Sequence, residues 1–268
     1  MGAEAKQLAS YVGWWGMRKT GHLTKSVVSL SVIVAFAALA GCGAKATLSS
    51  VRSGASSSAA AAAAAGCTAG TEGTSSLMTV MQEPASTVST PTGACWASIA
   101  PTAVNTTAMG TPPAGDSAWT KVAWTSTDLY ALTWVAQWPL PGGKLWNGQT
   151  VAFFVAGNNQ KGGQLAASTD DAQYGIVVGS NVVHTGTRGL TTTPTGISSV
   201  VPGKGYYAEL IVPWSDMGVS APASGQQYAF DVTVDYGDST GTEVGSTVWD
   251  GNANNYLTTA GWGTIKLG

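Results

Sequence analysis

Charge is scarce in this chain. Lys, Arg, Asp and Glu make up 10% of its 268 residues, and there are only two histidines. After Cys42 the balance is eight Lys and Arg against thirteen Asp and Glu, about five units negative. No basic stripe occurs there, which excludes a nucleic-acid partner, because phosphate neutralisation needs clustered cations. With His184 the only histidine after Cys42, a zinc centre is excluded as well. No phosphate loop, dinucleotide fingerprint or nucleophile elbow is present. A Ser-His-Asp site would have to use His184, and no motif selects a pair of carboxylates for glycoside hydrolysis. The chain reads as a binding protein rather than an enzyme. What it has instead is glycine, 35 residues, and tryptophan, 11 residues, eight of them from Trp119 to Trp262.

The N-terminal part reads as an export leader. Arg18, Lys19 and Lys25 precede an apolar run from Val27 to Ala40. That run is too short for a comfortable membrane span and suits a signal-peptide core. Leu39-Ala40-Gly41-Cys42 follows and resembles the lipobox of bacterial lipoproteins. The resemblance implies lipidation at Cys42, cleavage before it, and a lipid-anchored place in the cell envelope. With Gly43 next, it implies the outer membrane of a two-membrane bacterium. Met17 opens a better leader than Met1 and is the alternative start. The expected organisation is a leader over 1–41, a lipidated cysteine with a flexible Ala/Ser/Thr tether over 42–112, and one domain over 113–268. Once Cys42 is assigned to lipid, Cys67 and Cys95 remain as an even pair, free to bridge in an oxidising compartment or to stay reduced.

From Asp116 onward, short apolar runs alternate with Gly, Asn, Asp and Pro clusters. Leu129–Trp138, Val151–Val155, Tyr174–Val178, Tyr207–Val212, Tyr228–Asp235, Thr247–Trp249 and Thr264–Leu267 read as strands. In the fifth, Tyr228, Phe230, Val232 and Val234 share one face while Ala229, Asp231, Thr233 and Asp235 share the other. No long window carries a helical stripe. The expected fold class is all-β, an antiparallel β-sandwich. Trp119, Trp134 and Trp214 are expected in its core, and Glu209 as a paired or rim carboxylate.

Seven motifs in order then resemble carbohydrate-binding module family 9, within the DOMON-like β-sandwiches. They are Asp116-Ser117-Ala118-Trp119, Asp128 to Leu132, Trp146 before the Val151 strand, Asp170 to Tyr174, Gly205 to Trp214, Gly225 with Tyr228 to Asp235, and Trp262 to Leu267. The resemblance implies a sugar ring held between aromatic faces, with polar groups reading its hydroxyls. Trp146 and Tyr256 fall where the two clamp rings belong, with Trp249, Asn254 and Gln173 as further ligand-binding candidates. The sequence departs from the family where hydroxyl partners are expected: Ala152 replaces an acid, Gly175 an Arg and Thr233 a Gln. Each such loss costs about 1–3 kcal/mol. Two rival readings follow, an envelope or adhesion lipoprotein that kept the sandwich without the sugar site, and an accessory to a xylan-degrading glycoside-hydrolase system. Asp235, Asp238 and Glu243 are candidate ligands for a structural calcium. A haem site, known in another DOMON-like group, would need a Met ligand, and Met217 is the only Met after Met109.

Overall fold

The computed structural model describes residues 66–138, 140, 142–165, 168, 170–186 and 194–268. The leader, Cys42 and the polyalanine run lie outside the described residues. Thirteen strands are described: β1 Leu77–Gln82, β2 Thr102–Ala103, β3 Thr106–Gly110, β4 Ser117–Trp124, β5 Asp128–Ala136, β6 Thr150–Ala156, β7 Asp171–Val177, β8 Val183–Thr185, β9 Thr195–Val201, β10 Gly205–Pro213, β11 Gln227–Gly237, β12 Glu243–Val248 and β13 Gly263–Leu267. The remaining regular pieces are short 3₁₀ turns, and no described helix is long and apolar enough to cross a membrane.

The strands form two facing layers. One runs β8-β7-β6-β11-β13, with β12 on the other half of β11 and β3 beyond β12. The second runs β4-β5-β10-β9, with β2 on β4. These pairings are antiparallel, as the tight strand spacing predicts. β1 is the exception and joins the layers: Leu77 to Val80 pair in parallel with β13, then Met81 and Gln82 pair in parallel with β4.

The alternation of β11 decides which face is core. Tyr228, Phe230, Val232, Val234 and Tyr236 enter the cluster between the layers. There they meet Val151, Phe153 and Val155 of β6 and Leu129, Ala131 and Val135 of β5. Each fully buried side chain of this size contributes roughly 1.5–3 kcal/mol, and Phe230→Ala would cost about 3–5 kcal/mol. The odd positions of β11, Asp231, Thr233 and Asp235, project from the opposite face of the first layer. β6 is buried on both faces, because Ala152, Phe154 and Ala156 pack under Leu165 and Trp262.

The tether expectation fails from residue 66 onward. Met78, Val80 and Val104 lie in the central core. Val88, Cys95, Trp96 and Ile99 cover Ala123, Tyr130 and Leu132 on the outer face of the second layer. Cys67 and Cys95 are bonded, with Cα atoms 5.1 Å apart and a sequence separation of 28. The segment is rich in Ser, Thr and Gly, yet most of its large apolar residues find partners, so the domain begins well before residue 113.

Two expected core tryptophans are also placed differently. Trp119 and Trp134 face each other across β4 and β5, with Tyr207 opposite Trp134 on β10. All three rings are half-buried on the outer face of the second layer, and the Trp134 and Tyr207 centroids are 4.5 Å apart. They read as core in the sequence because they occupy strands, but they fall on the phase of the alternation that points outward. Trp214 is buried, its indole nitrogen donating to the Thr125 carbonyl at 2.8 Å.

Candidate functional site

The outward residues of the first layer form the floor of a cleft of about 550 Å³. Ala152, Phe154, Gln173 and Thr233 lie on that floor; Trp146 and Tyr256 both line the cleft, from loops about 110 positions apart. Met109 of β3 and Ser246 and Glu243 of β12 line it as well.

The Trp146 loop is held by backbone contacts. Glu243 N–H donates to the Asn147 carbonyl at 3.0 Å, and the Thr150 hydroxyl donates to the Lys144 carbonyl at 3.1 Å. Gln149, fully buried, donates to Gln137, whose amide donates to the Gly237 carbonyl at 3.2 Å. Trp146 itself has φ 61°, a left-handed conformation shared by no other non-glycine among the described residues. Such a conformation costs on the order of 1–3 kcal/mol and concentrates at ligand sites. Its ring lies directly over Gly175 of β7, where an added Cβ would fall 2.5 Å from the indole. Gly175 is thus the space that lets the tryptophan settle against the sheet.

The Tyr256 loop hangs from one carboxylate. Asp231 is fully buried and accepts from Gly251 N–H at 2.6 Å, Asp250 N–H at 3.3 Å and the Asn255 side-chain amide at 3.1 Å. Burial pushes its carboxyl up to about 7 against the pull of these donors and of Val232 N–H. Trp262 closes the loop from below, donating to the Asn255 carbonyl at 3.2 Å and packing on Phe154 at 5.4 Å between centroids. Tyr256 is left 49% exposed, its phenol at the cleft edge.

Of the expected site residues, Trp146, Tyr256 and Gln173 come together on this cleft. Two do not. Trp249 is a core residue: its ring packs on Phe230 at 6.1 Å and its nitrogen donates to the Thr74 carbonyl at 2.9 Å. Its backbone N–H donates to the Val232 carbonyl at 3.0 Å, continuing the β12 ladder and turning the ring inward. Asn254 is exposed and serves its own turn, its carbonyl accepting from Leu257 and Thr258, while Asn252 and Asn255 line the cleft in its place. Met109 escaped the sequence reading because β3 was assigned to the tether. Asp231 escaped it because an anchoring acid within a strand has no distinguishing motif.

The three calcium candidates are not drawn into one cluster. Asp238 is spent on its own loop, its carboxylate accepting from Thr240 N–H at 2.8 Å and Thr242 N–H at 3.1 Å. Asp235 faces the cleft instead, and no cluster of three ligand atoms forms among Asp235, Asp238 and Glu243. Burial, followed by the charge of Glu243, pushes the Asp235 carboxyl well above the usual carboxylate range, and burial raises Glu243 too.

Comparison with known proteins agrees with this architecture. The family model described as "Carbohydrate family 9 binding domain-like" matches residues 90–268. Among solved structures, the chain is similar to a family 9 carbohydrate-binding module from Caldicellulosiruptor kristjanssonii in complex with cellotriose, with 19% identity and a TM-score of 0.60 over 71% of this chain and 93% of that one. A module of the same organism in complex with glucose matches with 20% identity and a TM-score of 0.60, over 72% of this chain and 95% of that one. No curated protein matches the chain.

Proposed function

The chain belongs to the carbohydrate family 9 binding domain-like family, and from that premise we propose that it binds a saccharide without catalysis, stacking one sugar ring between Trp146 and Tyr256. The observation that carries the reading is that these two rings, far apart in sequence, line one cleft. A pyranose presents an apolar C–H face that packs on an aromatic ring, while hydroxyls seek polar neighbours such as Gln173 and Asn255. The strained backbone at Trp146 supports the same reading, since such strain concentrates at ligand sites. The proposal includes the lipid anchor at Cys42, which would hold the module on the envelope, and a role beside polysaccharide-degrading enzymes.

A second reading has its own observation. Ala152 and Thr233 line the floor where hydroxyl partners are expected, and Gly175 carries no side chain at all. A sandwich so stripped would serve as an adhesion or structural module. Screening the protein on a glycan array, then titrating the strongest ligand into the wild type and Trp146→Ala, separates the two. Binding that falls in the variant supports the clamp; an array with no ligand leaves the structural role.

A further inference from the structure

Among the described residues, two carboxyl groups line the cleft and no Lys or Arg does. Asp235 is 8% exposed, and among the described residues no hydrogen-bond donor reaches its carboxylate. It sits opposite Thr150 on β6 and Ser246 on β12, and the charged group that faces it is Glu243, with the buried Tyr206 phenol also within electrostatic reach. Folding has thus placed a nearly buried acid at the bottom of an aromatic-walled cleft beside a second acid, and burial and that neighbour both disfavour its charged form. A cation from the ligand would favour the ionised carboxylates and offset the repulsion between them. A rim amine would be screened by water, whereas one set against Asp235 would not.

We propose that the cleft selects a sugar bearing a protonated amine, a glucosamine-type residue, with its ammonium against Asp235 and Glu243 and its ring between Trp146 and Tyr256. The inference rests on the sugar-binding reading of the cleft. A neutral sugar hydroxyl donates one ordinary hydrogen bond to a carboxylate; an ammonium adds charge to the bond and makes it shorter and stronger. Neither wall competes, because Met109, Phe154 and the two clamp rings carry no cation.

Three trisaccharides with the same β-1,4 backbone test this: cellotriose, the glucosamine trimer and the N-acetylglucosamine trimer, which differ at C2 by hydroxyl, ammonium and neutral amide. Calorimetric titration at about pH 6, where an amine is protonated, should give the glucosamine trimer an affinity at least about tenfold above the other two. In Asp235→Asn the ratio of glucosamine-trimer to cellotriose affinity should fall to within about threefold of one. Equal affinity for all three in the wild type overturns the inference and leaves the sugar-binding reading standing. Binding of none overturns both. A preference that survives in Asp235→Asn, or stoichiometric calcium binding that this variant abolishes, assigns the carboxylates to another partner and overturns the amine proposal.

Discussion

Gly175→Ala places a methyl group beneath the Trp146 ring. The new carbon would lie 2.5 Å from indole Cη2, 2.7 Å from Cζ3 and 3.1 Å from Leu145 Cδ1. Carbon atoms settle at about 3.5–4.0 Å, so the ring must retreat by about 1 Å. It cannot do so freely, because its backbone is fixed at φ 61° and its loop is tied to Glu243 and Lys144. The ring therefore tilts away from the sheet and toward the space a sugar would fill. An aromatic face-to-ring contact is worth about 0.5–1.5 kcal/mol, so saccharide affinity should fall roughly 2- to 12-fold. Fold stability should change by less than about 1 kcal/mol, because Trp146 is half-exposed and alanine suits a strand better than glycine does. Titration calorimetry reads the affinity and urea unfolding reads the stability. Unchanged affinity in a stable variant would refute the argument that Gly175 sets the position of the clamp ring.

Other consequences follow from buried groups. Glu209 is 1% exposed on the second layer; one oxygen accepts from the Trp96 indole at 3.3 Å and the other meets no donor among the described residues. Burial pushes its carboxyl up to about 8 from a usual 4.5. The folded protein thus binds more protons than the unfolded chain between those values, so stability is complete below pH 4.5 and declines as pH rises toward 8. Glu209→Gln should flatten that decline, gaining on the order of 2–4 kcal/mol over wild type at alkaline pH in urea unfolding; an equal pH slope in both proteins would contradict it. Asp231→Ala strips the acceptor from Gly251, Asp250 and Asn255, and should cost at least about 2 kcal/mol of stability while weakening sugar binding through Tyr256. Reducing Cys67–Cys95, which closes 28 residues, should cost about 3–4 kcal/mol, measured as a lowered urea midpoint in the presence of dithiothreitol.

The strands that carry a strong local pattern were legible before the structure. β11 alternates cleanly because one face meets the core and the other faces the cleft. β6 reads as a continuous apolar run because Trp262 and Leu165 cover its second face. β1 was not legible: only Met78 and Val80 of LMTVMQ face the core, and its partners lie more than 40 positions away, at 123–124 and 264–267. A strand made by distant parallel pairing leaves little local signature, and Ser/Thr-rich flanks disguise it as linker. At the site, the motif order around Trp146 and Tyr256 singled out two residues that line one cleft. Trp249 was misassigned because a place at the end of a strand does not say which way a ring turns. The acid at Asp235 was noticed for its charge, but only the register of β11 against β6 and β12 shows that it opens into the cleft.

The central claim is that Trp146 and Tyr256 grip a single sugar ring. The most direct test is calorimetric titration of cellotriose, and of the glucosamine trimer, into the wild type, Trp146→Ala and Tyr256→Ala, with unfolding midpoints measured in parallel. The account predicts one site per chain and a loss of about tenfold or more in either variant for whichever saccharide binds, without a matching loss of stability. Wild-type protein that binds neither saccharide, or two variants that bind as tightly as it does, would contradict it.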